Sequence, residues 1–187
     1  HLPNSVKLIG IINRSFGREA IPIGAMKGKG ATIDTCHKGE KWTEVLVNRY
    51  PIDLPLAADA PDAVTVYREA LAKADDQSVV IISVGFFTNL RNLLRSPTDD
   101  ASPLSGEELI RKKVKRLVSM AGKFPSGKET NIIVDPASAE EVFKDWPVEI
   151  LIAGYEVGRY VRTGDRLIQM GIKGNPVVDA YAMSIPQ

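Results

Sequence analysis

Ser78-Val79-Val80-Ile81-Ile82-Ser83-Val84 runs almost wholly apolar and β-branched into Gly85-Phe86-Phe87-Thr88-Asn89-Leu90. A short run of this composition reads as a parallel strand buried on both faces. Gly85 is expected to turn the backbone tightly, and Thr88 and Asn89 to cap a helix that begins near Leu90. Ligands collect at the carboxyl ends of strands in open α/β sheets, so this junction is the first place to look for a site. An ordinary strand-to-helix turn explains the same residues.

Working outward, strand-like runs lie at Val6 to Ile12, Ala20 to Ile23, Leu117 to Met120 and Val148 to Ala153. Helical patterns fall between them, most clearly over Asp62 to Ala74, where Ala63, Val66, Tyr67, Ala70, Leu71 and Ala74 share one face. A second helix is predicted over Gly106 to Arg116. The alternation predicts an α/β fold, a Rossmann-like, mostly parallel sheet with helices on both faces, in a single domain over residues 1–187.

A second block, Lys128-Glu129-Thr130-Asn131-Ile132-Ile133-Val134-Asp135-Pro136, pairs a polar loop with a helix start. Pro136 suits the first helical position and Asp135 the N-cap, which accounts for Asp135 without a catalytic role. Glu129 and Asn131 are two apart, and in an extended chain they project to the same side. A carboxylate and an amide so placed can hold a sugar diol; solvated loop residues are the plainer reading.

These blocks resemble signature segments of the nucleoside hydrolase family, calcium-dependent enzymes that cut the N-glycosidic bond of ribonucleosides. The likeness extends to Ile21-Pro22-Ile23-Gly24, Val118-Ser119-Met120-Ala121-Gly122, Asp145-Trp146-Pro147, Gly154-Tyr155-Glu156-Val157-Gly158, Thr163-Gly164 and Asn175-Pro176, in the family's order. It implies a ribonucleoside or ribose-like substrate, with Glu129 and Asn131 on the ribose and the Val84 backbone carbonyl on calcium. Glu156, at another strand end, either faces the pocket or caps the following helix. Lys123 stands near the position where the family places an asparagine against the ribose.

The resemblance also marks departures. Family members carry an aspartate cluster, D-x-D-x-x-x-D-D, at the end of the first strand, and the attacking water is activated there. The paired aspartates here, Asp75-Asp76 and Asp99-Asp100, fall in polar connectors instead. Only Arg14 to Glu19 separates two strand-like runs that the family joins through a loop and a helix. The chain is therefore expected to be an incomplete family domain, inactive alone as a calcium-dependent hydrolase. Either segments outside it complete the enzyme, or it is a truncated homologue that binds sugars or nucleosides, or assembles with another chain.

Composition sets bounds on partners. Among 187 residues, 44% are hydrophobic and 25% charged, with a net charge of +1, so no global field favours nucleic acid or an anionic membrane. The cations Arg111, Lys112, Lys113, Lys115 and Arg116 read as a solvated helix face, because no aromatic residues are interleaved for base stacking. No apolar run approaches the roughly 20 residues of a membrane-spanning helix. The single cysteine, Cys36, rules out an intrachain disulfide and mildly favours a reducing compartment. Its neighbour His37 has no acid placed to orient it, and too few ligands surround the two for a zinc site.

Overall fold

The computed structural model describes residues 3–28, 41–161 and 163–184. Cys36 and His37 lie outside the described residues. The chain divides into two compact units, one formed by His1–Ala25, Ile33–Pro61 and Arg162–Gln187, the other by Met26–Thr32 and Asp62–Val161.

The second unit holds the sheet. Strands β1 (Val79–Ser83), β2 (Val114–Met120) and β3 (Ile150–Ala153) lie side by side in that order, all parallel. Parallel neighbours require crossovers, and helices supply them. Between β1 and β2 run α4 (Thr88–Leu94) and α5 (Gly106–Lys113), and between β2 and β3 run α6 (Thr130–Ile133) and α7 (Pro136–Asp145). Before β1 lies α3 (Ala63–Lys73), and after β3 lies α8 (Tyr155–Tyr160). The fold is α/β, a parallel sheet with helices around it.

The strands present two unlike faces. Ile81 pairs in register with Leu117, and both are buried in a core that includes Phe87, Leu90, Leu93, Leu109, Ile110 and Val142. Alternation along the strands sends Val80, Ile82 and Leu151 the other way, where they are 44%, 70% and 50% exposed.

Local chemistry explains the helix boundaries. Asp62 caps α3 by accepting from the Val64 N–H at 2.9 Å, within one residue of the predicted start. Asp135 and Pro136 take the N-cap and first-turn positions of α7 as expected. Ser105 and Glu108 form a reciprocal capping box on α5, which therefore starts at Gly106. A Cβ on Gly106 would stand 1.7 Å from the Leu93 carbonyl oxygen, so only glycine fits.

Some expectations fail. The helix predicted over Gly106 to Arg116 ends at Lys113, because Val114 already pairs with Val79 and tertiary pairing overrides the helical pattern. At the β1 turn, Gly85 has no positive φ and a Cβ there would meet nothing within 4 Å, so the turn does not require glycine. Helix α4 starts at Thr88 with Phe87 at its N-cap and no side-chain cap, so Thr88 and Asn89 are helical rather than capping residues.

The first unit departs further. Val6 to Ile12, read as a strand, belongs to helix α1 (Ser5–Ser15), with Val6, Gly10 and Ile11 buried. Short apolar runs do not distinguish a buried strand from a helical face. Gly10 lets α1 close on Leu54, whose Cδ1 would stand 2.2 Å from an added Cβ. Ala20 to Ile23 forms no strand. The unit adds α2 (Trp42–Arg49), α9 (Asp165–Gln169) and α10 (Pro176–Ser184), and Asp179 on α10 accepts from Tyr50 Oη and Arg49 Nη1, each at 2.7 Å. No helix among the described residues is long and apolar enough to cross a membrane.

Candidate functional site

The carboxyl ends of β2 and β3 bring together Glu129, Asn131 and Glu156. Each is fastened to the backbone of one short stretch, Met120 to Phe124. Glu129 accepts from Gly122 N at 3.2 Å through one oxygen and from Asn131 N at 2.8 Å through the other. Asn131 Nδ2 donates to the Met120 carbonyl at 3.0 Å. Glu156 Oε1 accepts from Phe124 N at 2.8 Å, and Tyr155 N donates to the Gly122 carbonyl at 2.9 Å.

Glu129 and Asn131 do not meet by way of an extended chain. Glu129 is the N-cap of α6 and only 6% exposed, and Asn131 already lies in its first turn. A helix start thus replaces the alternation on which the pairing was argued. The loop from Gly122 has a left-handed turn at Gly122, with φ of 78°, and folds back so that Glu129 reaches the Gly122 N–H.

What remains available is a set of acceptors. No hydrogen bond engages Asn131 Oδ1 or Glu156 Oε2 among the described residues, and each Glu129 oxygen keeps a second lone pair. Hydroxyl groups of a sugar are donors of the matching kind. The loop that anchors them, 121–127, lines a cavity of about 410 Å³ with Ile132, Phe143 and Ile152; Glu129, Asn131 and Glu156 are not themselves in its wall. Its volume is within the range of small-molecule sites. Phe143 packs at a tilt against buried Phe87, 4.9 Å between ring centroids, which ties this wall to the core.

Asp135 and Thr88 belong to the scaffold. Thr88 Oγ1 donates to Asp135 Oδ2 at 2.5 Å, and Ser138 Oγ donates to the same oxygen at 2.6 Å, joining the first turns of α4 and α7. Burial raises the Asp135 pKa, but the bonds from Ser138 and Thr88 outweigh it and hold the carboxyl below the usual carboxylate range. Larger space in the first unit, a cavity of about 550 Å³, is walled by Val6, Ile21, Ile23, Ile52 and Leu54. It contains none of the predicted site residues, and its Arg14 donates to the Pro51 carbonyl.

The family description for inosine-uridine preferring nucleoside hydrolase matches residues 9–184. The chain belongs to the nucleoside hydrolase family. No curated protein matches it. Membership carries a nucleoside hydrolase-like function and a nucleoside as the molecule to be bound.

Calcium, implied by the resemblance, does not fit the donors described. It takes six to eight oxygens, largely from carboxylates. Among the described residues no three acidic, histidine or cysteine side chains converge to hold a metal. Val84, just past β1, brings one neutral carbonyl, and the residue is 77% exposed. The paired aspartates are used elsewhere: Asp76 binds Lys113 at 2.7 Å and Asp99 binds Arg68 at 2.7 Å.

Residues that the sequence reading passed over also line this edge. Tyr155 follows Gly154 directly at the end of β3, Phe124 is 57% exposed beside the cavity, and Arg159 lies one turn beyond Tyr155 on α8. Their position after a strand end, where α/β sheets gather ligands, was the available signal.

Proposed function

We propose that the carboxyl edge of the sheet is the ribose-recognising part of a nucleoside hydrolase-like site. Glu129, Asn131 and Glu156 accept hydrogen bonds from the ribose hydroxyls, and the Phe124 side of the cavity receives the base. The observation that carries this reading is the common anchoring of all three side chains to Met120 to Phe124, which leaves acceptors free on the loop that lines a cavity of nucleoside size. Hydrolysis of the N-glycosidic bond needs carboxylates to activate water, and the described residues supply no cluster for it. The second reading, favoured by that donor set, is a nucleoside-binding homologue that does not hydrolyse its ligand.

Calorimetric titration with uridine and inosine tests binding. Asn131→Ala should weaken binding by about tenfold, the equivalent of one hydrogen bond, with little change in melting temperature. Equal affinity in the variant and the parent would overturn the assignment, as would no binding to either nucleoside. Free-base release, measured with and without added calcium, separates the two readings: calcium-stimulated release supports the hydrolase, and its absence in a chain that binds nucleoside supports the binder.

A further inference from the structure

Two cations at this edge have no part in the ribose contacts. Lys123 Nζ stands 5.8 Å from the centroid of the Tyr155 ring, and the Arg159 guanidinium carbon stands 5.9 Å from the same centroid. An aromatic face positions a cation but does not neutralise it.

Charge pairing among the arginines of the unit makes Arg159 unusual. Arg68, Arg91, Arg95, Arg111 and Arg116 each pair with a carboxylate. Arg159 has no carboxylate partner among the described residues; Lys123 has none either, as is true of Lys73, Lys115, Lys128 and Lys144, and what distinguishes it is its place over the Tyr155 ring and in the cavity wall. The acid nearest in sequence, Glu156, gives one oxygen to the Phe124 N–H rather than to either cation. Sharing one ring, the two cations lie within about 12 Å of each other, on the order of the Debye length, so they act on a nearby anion together. Lys123 also lines the cavity proposed for the nucleoside.

From this we infer that Lys123 and Arg159 form an anion-recognising pair, and that the site takes ribonucleoside monophosphates, with the phosphate ester held beside Tyr155. A phosphate presents several acceptor oxygens, which suit the planar donor fork of arginine and the ammonium of lysine. The inference rests on the ribonucleoside reading above and extends it to a charged class of ligand.

The test is titration of the full chain at low ionic strength with uridine, inosine, their 5′- and 3′-monophosphates, and inorganic phosphate. At least one monophosphate should bind about tenfold tighter than its nucleoside, and added salt should reduce that advantage. Arg159→Ala and Lys123→Ala should each lower the ratio of monophosphate to nucleoside affinity, Arg159→Lys should restore part of it, and melting temperatures should stay within the range of surface substitutions. Nucleoside binding with no monophosphate advantage overturns the anion pair and leaves the ribose reading standing. Binding of inorganic phosphate that Arg159→Ala abolishes, without nucleoside binding, supports the pair and overturns the ribose reading. Absence of binding by every probe overturns both.

Discussion

Arg68 and Arg159 sit in the same unit and are solvated in opposite ways. Arg68 is 1% exposed and fully engaged: its guanidinium reaches both Asp99 oxygens at 2.7 and 2.8 Å, Ser96 Oγ at 2.9 Å, and the carbonyls of Ser102 and Leu104 at 3.2 and 2.9 Å. Arg159 is exposed and rests on one aromatic ring. A buried guanidinium must have its donors satisfied, so the first arrangement fixes the 96–104 connector against α3 and has nothing left for a ligand. The second retains its charge for one. Functional potential in this unit lies where polar groups are positioned but left unsaturated, as they also are at Asn131 and Glu156.

The strongest way to break this contrast is Arg68→Met. It removes the partner of Asp99, leaves the Leu104 carbonyl without its donor and takes one of two donors from the Ser102 carbonyl, which keeps the Asp99 N–H, and about 3 kcal/mol of stability should be lost. Urea unfolding measures it. A loss near zero would mean that the connector is held by its backbone alone and that the paired arginine is no more structural than the unpaired one.

How much of this could be read beforehand depended on the range of the interaction. Asp62, Asp135 and Pro136 act within one helical turn, and their helix starts were legible. Strand β1 was legible as a strand, because a β-branched run bounded by turn residues leaves few alternatives, but its expected burial on both faces was not met: Val80 and Ile82 are exposed on one side. The Ser105 and Glu108 capping box is equally local, a serine followed three residues later by a glutamate. Helix α1 was misread because Val6, Gly10 and Ile11 are chosen as the buried set by contact with distant residues such as Leu54. The Arg68 cluster and the Tyr50, Arg49 and Asp179 contacts join positions far apart in sequence, which no spacing rule reveals. Glu129 and Asn131 were selected for a side-by-side projection that the chain does not adopt. A shared backbone anchor brings them to the same place.

Asp135 lies between the two regimes, since it belongs to the scaffold but adjoins the strand ends. Asp135→Ala removes the α7 cap together with the acceptor for Thr88, and should cost about 1–2 kcal/mol. Nucleoside affinity should remain near that of the parent when measured below the melting transition, because Asp135 is assigned no ligand contact. A large loss of affinity in a folded variant would move Asp135 into the site and weaken the division between saturated and unsaturated groups.

Acidification should sharpen the contrast with the smallest effect. The hydrogen bond from Arg68 holds the Asp99 pKa below the ordinary carboxylate value, burial opposes it, and the Ser102 and Ala101 N–H groups assist. A carboxylate with a depressed folded pKa contributes stability that is present above its unfolded value, about 3.9, and is lost as pH falls through the folded value. Asp99→Asn should therefore be less stable than the parent near neutrality, and the gap should close below about pH 4 as the parent's own Asp99 takes up its proton. Other acids titrate in the same window, so the quantity to follow is the difference between the two proteins' denaturation midpoints across pH. A gap that stays constant into acid would show that the Arg68 contact does not depend on the Asp99 charge, and the buried arginine would then be held chiefly by Ser96 and the two backbone carbonyls.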